Sequence, residues 1–159
     1  MMTVIVNYNS TQTYDARRRC GGFLRHSVET MLPDGTTAAF SAGVLRGTGT
    51  ISTSAAVYNV GRSAICDESG DVAEYSIDHR FMQLTIARLA DLVHCRRYVL
   101  RQQRSWSSNL VMLEDDIQVG LFQSGLLQSR YRISVSHDVS CHAVLACVWI
   151  SMIRGAFGA

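Results

Sequence analysis

Between Ala143 and Ile153 the chain runs through eleven residues that are apolar nearly all round a helical wheel. Ser140 stands where an N-cap belongs, Arg154 falls in the last turn and Gly155 comes just after it, so the segment is bracketed as a helix. At a rise of about 1.5 Å per residue it would be about 16 Å long, whereas a bilayer span takes roughly twenty residues. It therefore cannot cross a membrane as a helix. An all-apolar helix of this length is expected to be covered by protein, either its own fold or a second subunit, with a membrane-surface or tail contact as the alternative. Val144, Leu145, Val148, Trp149 and Met152 are the expected contact residues, with Trp149 as anchor because its indole N–H needs a partner.

The rest of the chain must supply that cover. Phe23 to Met31 alternates in part, Leu32-Pro33-Asp34-Gly35 is a turn, and Thr36 to Val44 returns as the second arm of a hairpin. Ala64 to Cys66, Asp67-Glu68-Ser69-Gly70 and Val72 to Ile77 repeat the plan, as do Leu110 to Leu113, Glu114-Asp115-Asp116 and Ile117 to Phe122. Leu127 to Ser136 adds a strand alternating at Tyr131, Ile133 and Val135, and Thr3 to Val6 is a β-branched run. Gly43 to Ala56 is rich in small residues and reads as a loop or a weak edge strand. In Asp78 to Arg97, apolar residues at Met82, Ile86, Leu89 and Val93 line one face at 3.6-residue periodicity, which predicts a second helix capped by Asp78. The expected fold class is α+β. It is a single domain over residues 1–159, an antiparallel strand meander with one amphipathic mid-chain helix and one buried apolar C-terminal helix.

From Gly61 onward, about three-fifths of the chain, this order of elements resembles roadblock or longin-like domains, which pack helices on the faces of a short antiparallel sheet. A competing resemblance is to tubby-like barrels, in which hairpins wrap a hydrophobic C-terminal helix. The periodic segment from Asp78 to Arg97 favours the first. Neither resemblance fixes a function, because one fold hosts many sites.

Composition removes several chemistries. The chain has fifteen basic residues, all arginine, so there is no lysine for a Schiff base or a phosphate loop. Gly47-Thr48-Gly49 lacks both the lysine and the following helix of a phosphate cradle. The five cysteines, Cys20, Cys66, Cys95, Cys141 and Cys147, form no two-residue-gap pair, and no charged leader precedes an apolar N-terminal run. Reduced, buried thiols in a cytoplasmic protein are the expectation.

Possible reactive groups read more simply as structure. His79, His94, Cys95, His137, Cys141 and His142 could donate to a metal, but their spacing follows no ligand pattern, so no metal or cofactor is expected. Cys141 and His142 point about 100° apart on a helix and cannot face each other. Glu114-Asp115-Asp116 reads as a solvated turn.

The arginines are the functional lead. Arg17, Arg18 and Arg19 form one cluster; Arg96, Arg97, Arg101 and Arg104 form another beside Tyr98 and Trp106. Guanidinium next to aromatic rings suits phosphate backbones, acidic proteins and protein interfaces alike. A net charge of +2 favours the protein interface. The expectation is a non-enzymatic interaction or assembly module that self-associates through the helix, Tyr98 and Trp106. The alternatives are a nucleic-acid-binding accessory protein, such as viruses encode, and a small Cys/His hydrolase.

Overall fold

The computed structural model describes residues 11–19, 25–43, 47–78, 85–104, 107–125 and 129–157. Among the described residues, twelve antiparallel strands follow one another as neighbours. They are β1 (Thr11–Arg19), β2 (Arg25–Met31), β3 (Thr37–Gly43), β4 (Gly49–Ser52), β5 (Val57–Val60), β6 (Ala64–Asp67), β7 (Gly70–Asp78), β8 (Ile86–Asp91), β9 (Arg96–Gln102), β10 (Leu110–Glu114), β11 (Ile117–Ser124) and β12 (Arg130–Ser136). Because β1 pairs with both β2 and β12, the sheet closes into a barrel. The helix α1 (Cys141–Val148) continues into a π-helical turn, Trp149–Ile153.

Barrels of about eight strands fill with their own side chains, and wider ones enclose a lumen. Twelve strands leave such a lumen, and the C-terminal helix occupies it. That placement explains an apolar surface on every side: the helix meets barrel wall in all directions. Ala143 to Trp149 are at most 1% exposed. Around them, each strand turns alternate residues inward, Ala38, Phe40 and Ala42 on β3 and Tyr131, Ile133 and Val135 on β12.

Two polar anchors sit within this core. The Trp149 indole donates to the Tyr75 hydroxyl at 3.3 Å, and that hydroxyl donates to the Gly61 carbonyl at 2.7 Å. Ser151 donates to the Cys147 carbonyl at 2.9 Å, satisfying itself within its own helix.

The expected α+β fold is thus corrected to a closed β-barrel around one short helix. The segment Asp78 to Arg97 is where the expectation failed. Asp78 ends β7, residues 79–84 lie outside the described residues, and Ile86 to Gln102 form the β8–β9 hairpin. The four-three-four spacing was coincidental with strand alternation: Leu89 is buried, but Val93, on the same supposed stripe, is 58% exposed in the hairpin turn. With that helix gone, the layout of a roadblock or longin-like sheet goes too.

The hairpin turns at Asp34, Asp67 and Asp115 fall where the sequence put them. Asp34 and Asp67 each accept a backbone N–H two residues on, from Thr36 and Ser69. Asp115 and Asp116 both have positive φ (51° and 63°), the primed turn that matches strand twist. Within the segment Gly43 to Ala56, β4 is hydrogen-bonded on both sides and so is no edge strand, while residues 44–46 lie outside the described residues. The expected strand at Thr3 to Val6 lies outside the described residues.

Candidate functional site

Strand alternation decides which arginines can meet. On β9, Arg97, Val99 and Arg101 share the outer face of the barrel, while Tyr98 and Leu100 point into it. The β8–β9 register sets Arg88 opposite Val99, Ala90 opposite Arg97 and Ile86 opposite Arg101. Arg88 therefore lies diagonally between Arg97 and Arg101, within reach of both long side chains. Among the described residues, Arg97 and Arg101 make no side-chain hydrogen bond or ion pair. Arg88 has only a long contact to Asp78, 3.8 Å.

These residues line a groove of about 1020 Å³ on the outer wall, floored by Ile86, Ala90, Val99 and Leu113. Its charge is uneven along the strands. Asp71, Glu74, Asp115 and Asp116 line the end nearest the β8–β9 turn, where Arg97 stands in one cross-strand row with Ala90 and Glu74, and Arg88 and Arg101 line the other. The groove thus presents two signs of charge around an apolar strip, a chemistry suited to a protein surface.

The remaining sequence-predicted residues are dispersed. Arg17 and Arg19 lie outward on β1, where Arg19 pairs with Glu29 at 3.0 Å and Arg17 stands 3.7 Å from Asp15. Arg18 faces the other way. Arg96 is tied down by Glu114, which accepts from Nε at 2.6 Å, and by the Asp138 carbonyl, which accepts from Nη1 at 2.7 Å. Arg104 is exposed at the bend after β9, and Trp106 lies outside the described residues.

The expected interface side chains are covered by the chain itself. Val144, Leu145, Val148, Trp149 and Met152 fill the lumen, and Tyr98 is 1% exposed beneath the Arg96 guanidinium, 5.7 Å from its ring centroid. Among the described residues the Tyr98 hydroxyl is buried without a partner; burial, foremost, pushes its ionisation up to about 12. An apolar contact with a second copy has to be made elsewhere.

Cys141 and His142 diverge as helical neighbours must. Burial pushes the Cys141 thiol up, although a hydrogen bond with Tyr14 opposes the rise. His142 turns to a residue that the sequence did not single out, Asp91. The last residue of β8, Asp91 is 1% exposed. Its Oδ1 lies 2.7 Å from His142 Nε2, and its Oδ2 lies 3.0 Å from His94 Nδ1 and accepts from Ser140 Oγ at 2.8 Å. The Val93 and His94 amides also donate to Oδ1, each at 3.1 Å. Burial raises the Asp91 carboxyl, but the bonds from His142, Ser140 and the His94 amide outweigh it and hold the acid below its ordinary range. Ser140, the N-cap read from the sequence, bonds both Asp91 and the Ala143 amide, so this cluster fixes where the helix enters the barrel.

Among the described residues, no helix is long and apolar enough to cross a membrane, a statement that does not bear on strands. Four cysteines, Cys66, Cys95, Cys141 and Cys147, are free. No family model, curated protein or solved structure matches the chain.

Proposed function

We propose that the protein is a non-enzymatic intracellular interaction module that self-associates through the outer-wall groove on β7 to β10. The observation that carries this reading is the uneven charge of the groove, four carboxylates with Arg97 at one end and Arg88 and Arg101 at the other, over an apolar floor. A two-fold contact is isologous, so each residue of the patch meets another residue of the same patch. Two copies laid antiparallel would set Asp71 and Glu74 of one against Arg88 and Arg101 of the other, in both halves at once. The apolar floor of Val99, Leu113 and Ile86 would be buried between them. A phosphate backbone fits less well, because the four acidic residues would repel it.

The free thiols support an intracellular setting. Light scattering coupled to size exclusion, across protein concentration and at two salt concentrations, tests the assembly. The expected result is a dimer that Arg101→Glu splits and that re-forms when this variant is mixed with Glu74→Arg. A monomer at every concentration overturns the reading. So does tight binding to RNA that collapses with salt, which would favour the nucleic-acid alternative.

A further inference from the structure

The geometry points to Asp91, His94 and His142 as a binding site for a zinc-class divalent ion at the rim of the barrel. The three residues come from separate places, the end of β8, the β8–β9 turn and the first turn of α1. Their donor atoms nevertheless lie within 4.8 Å of one another. Around a tetrahedral ion with metal–ligand bonds of about 2.0–2.1 Å, neighbouring donors stand about 3.3 Å apart. The Asp91 oxygens already lie 2.7 Å from His142 Nε2 and 3.0 Å from His94 Nδ1. To reach that spacing the His94 ring, whose side chain is 51% exposed, has to withdraw by about 0.3 Å and the His142 ring by about 0.6 Å from their Asp91 oxygens.

The surroundings match what such a site requires. Metal-bound carboxylates are held by outer hydrogen bonds, and Asp91 already accepts from Ser140 Oγ and from the Val93 and His94 amides. The two imidazole rings are stacked, 5.5 Å between centroids and 20° between planes, so their nitrogens approach the carboxylate side by side. Asp91 and His142 lie inside, and His94 opens to solvent, which provides both an entry path and a fourth position for water. Two nitrogens and one oxygen select zinc, cobalt or nickel over magnesium or calcium, which prefer cages of oxygen. Cys95 is exposed on the same turn and is not part of the group.

The competing account is that these residues form only a hydrogen-bonded clamp between the turn and the helix. Cobalt(II) and zinc separate the two. Chelator-stripped protein is titrated with Co²⁺, followed by visible absorption, and then challenged with Zn²⁺; thermal unfolding is measured with and without zinc. The expected result is one ion per chain, a cobalt band displaced by zinc and a higher unfolding midpoint with zinc. His94→Gln, at an exposed position that the fold tolerates, is expected to weaken binding by at least about tenfold. Cys95→Ser is expected to leave binding unchanged. The proposal is overturned if the wild type takes up no ion at equimolar metal. It is equally overturned if His94→Gln binds as tightly as wild type, or if Cys95→Ser abolishes binding.

Discussion

The indole of Trp149 reaches the hydroxyl of Tyr75 across the barrel lumen, 3.3 Å from nitrogen to oxygen, and so ties the helix to β7. That hydroxyl also donates to Gly61, so its removal takes the partner from the buried Trp149 indole and from the half-buried Gly61 carbonyl. Each unsatisfied group costs about 1–3 kcal/mol. Tyr75→Phe should therefore destabilise the protein by at least about 1 kcal/mol, in the same range. Chemical denaturation checks this, with an unchanged dependence on denaturant if the native barrel is retained.

Gly49 opens β4 directly opposite Ala42 of β3. A side-chain carbon there would overlap the Ser41 carbonyl oxygen and stand 2.9 Å from the Ala42 Cα, and neither backbone atom can swing away. Gly49→Ala is expected to cost about 1–3 kcal/mol through forced backbone shifts, against near neutrality at an open site. Gly43→Ala is the control, since nothing lies within 4 Å of the added carbon.

The closing seam between β1 and β12 carries a pH signature. Arg130 donates to Asp15 through Nε at 3.0 Å and Nη2 at 2.5 Å. The hydrogen bond from Arg130 is the foremost reason that the Asp15 carboxyl lies below its usual range. A depressed folded-state pKa means stabilisation that is present above the unfolded value, about 3.9, and lost as pH falls through the folded value. Asp15→Asn should lower the thermal midpoint at neutral pH. The gap to wild type should then narrow steadily below about pH 4, where the wild-type carboxylate is protonated too.

Thiol reactivity should follow position in the barrel. Cys95 lies exposed in a turn, whereas Cys147 is wholly buried and its ionisation is pushed up to about 12 by that burial. In native protein, iodoacetamide should label Cys95 rapidly and leave Cys147 untouched, with Cys141 slower than Cys95. Peptide mapping by mass spectrometry reads the order. Labelling of Cys147 without denaturant would show that the helix leaves the lumen readily.

The helix and its boundaries were legible because both are local: an all-round apolar surface and a serine cap need no knowledge of the partner. Hairpins centred on Asp34, Asp67 and Asp115 were legible for the same reason, since short turns are written in adjacent residues. Closure was not. It depends on β1 meeting β12, and no local pattern announces a pairing such as Asp15 with Arg130, 115 residues apart. The β8–β9 hairpin was lost because its turn, Leu92 to Cys95, contains neither glycine nor proline, and Cys95 itself takes the left-handed backbone (φ 56°). That loss concealed the site as well. Arg88 joins Arg97 and Arg101 only through the register of this hairpin, and Asp91 meets His142 only because the strand ends where the helix begins.

The lumen helix comes after all twelve strands in chain order. During synthesis the wall is therefore made before its filling, and the inward aromatic and aliphatic side chains of β1 to β12 wait uncovered until Trp149 has left the ribosome. Nascent chains halted short of that tryptophan should be sticky clients of chaperones, and the domain should snap shut in one late step instead of growing hairpin by hairpin.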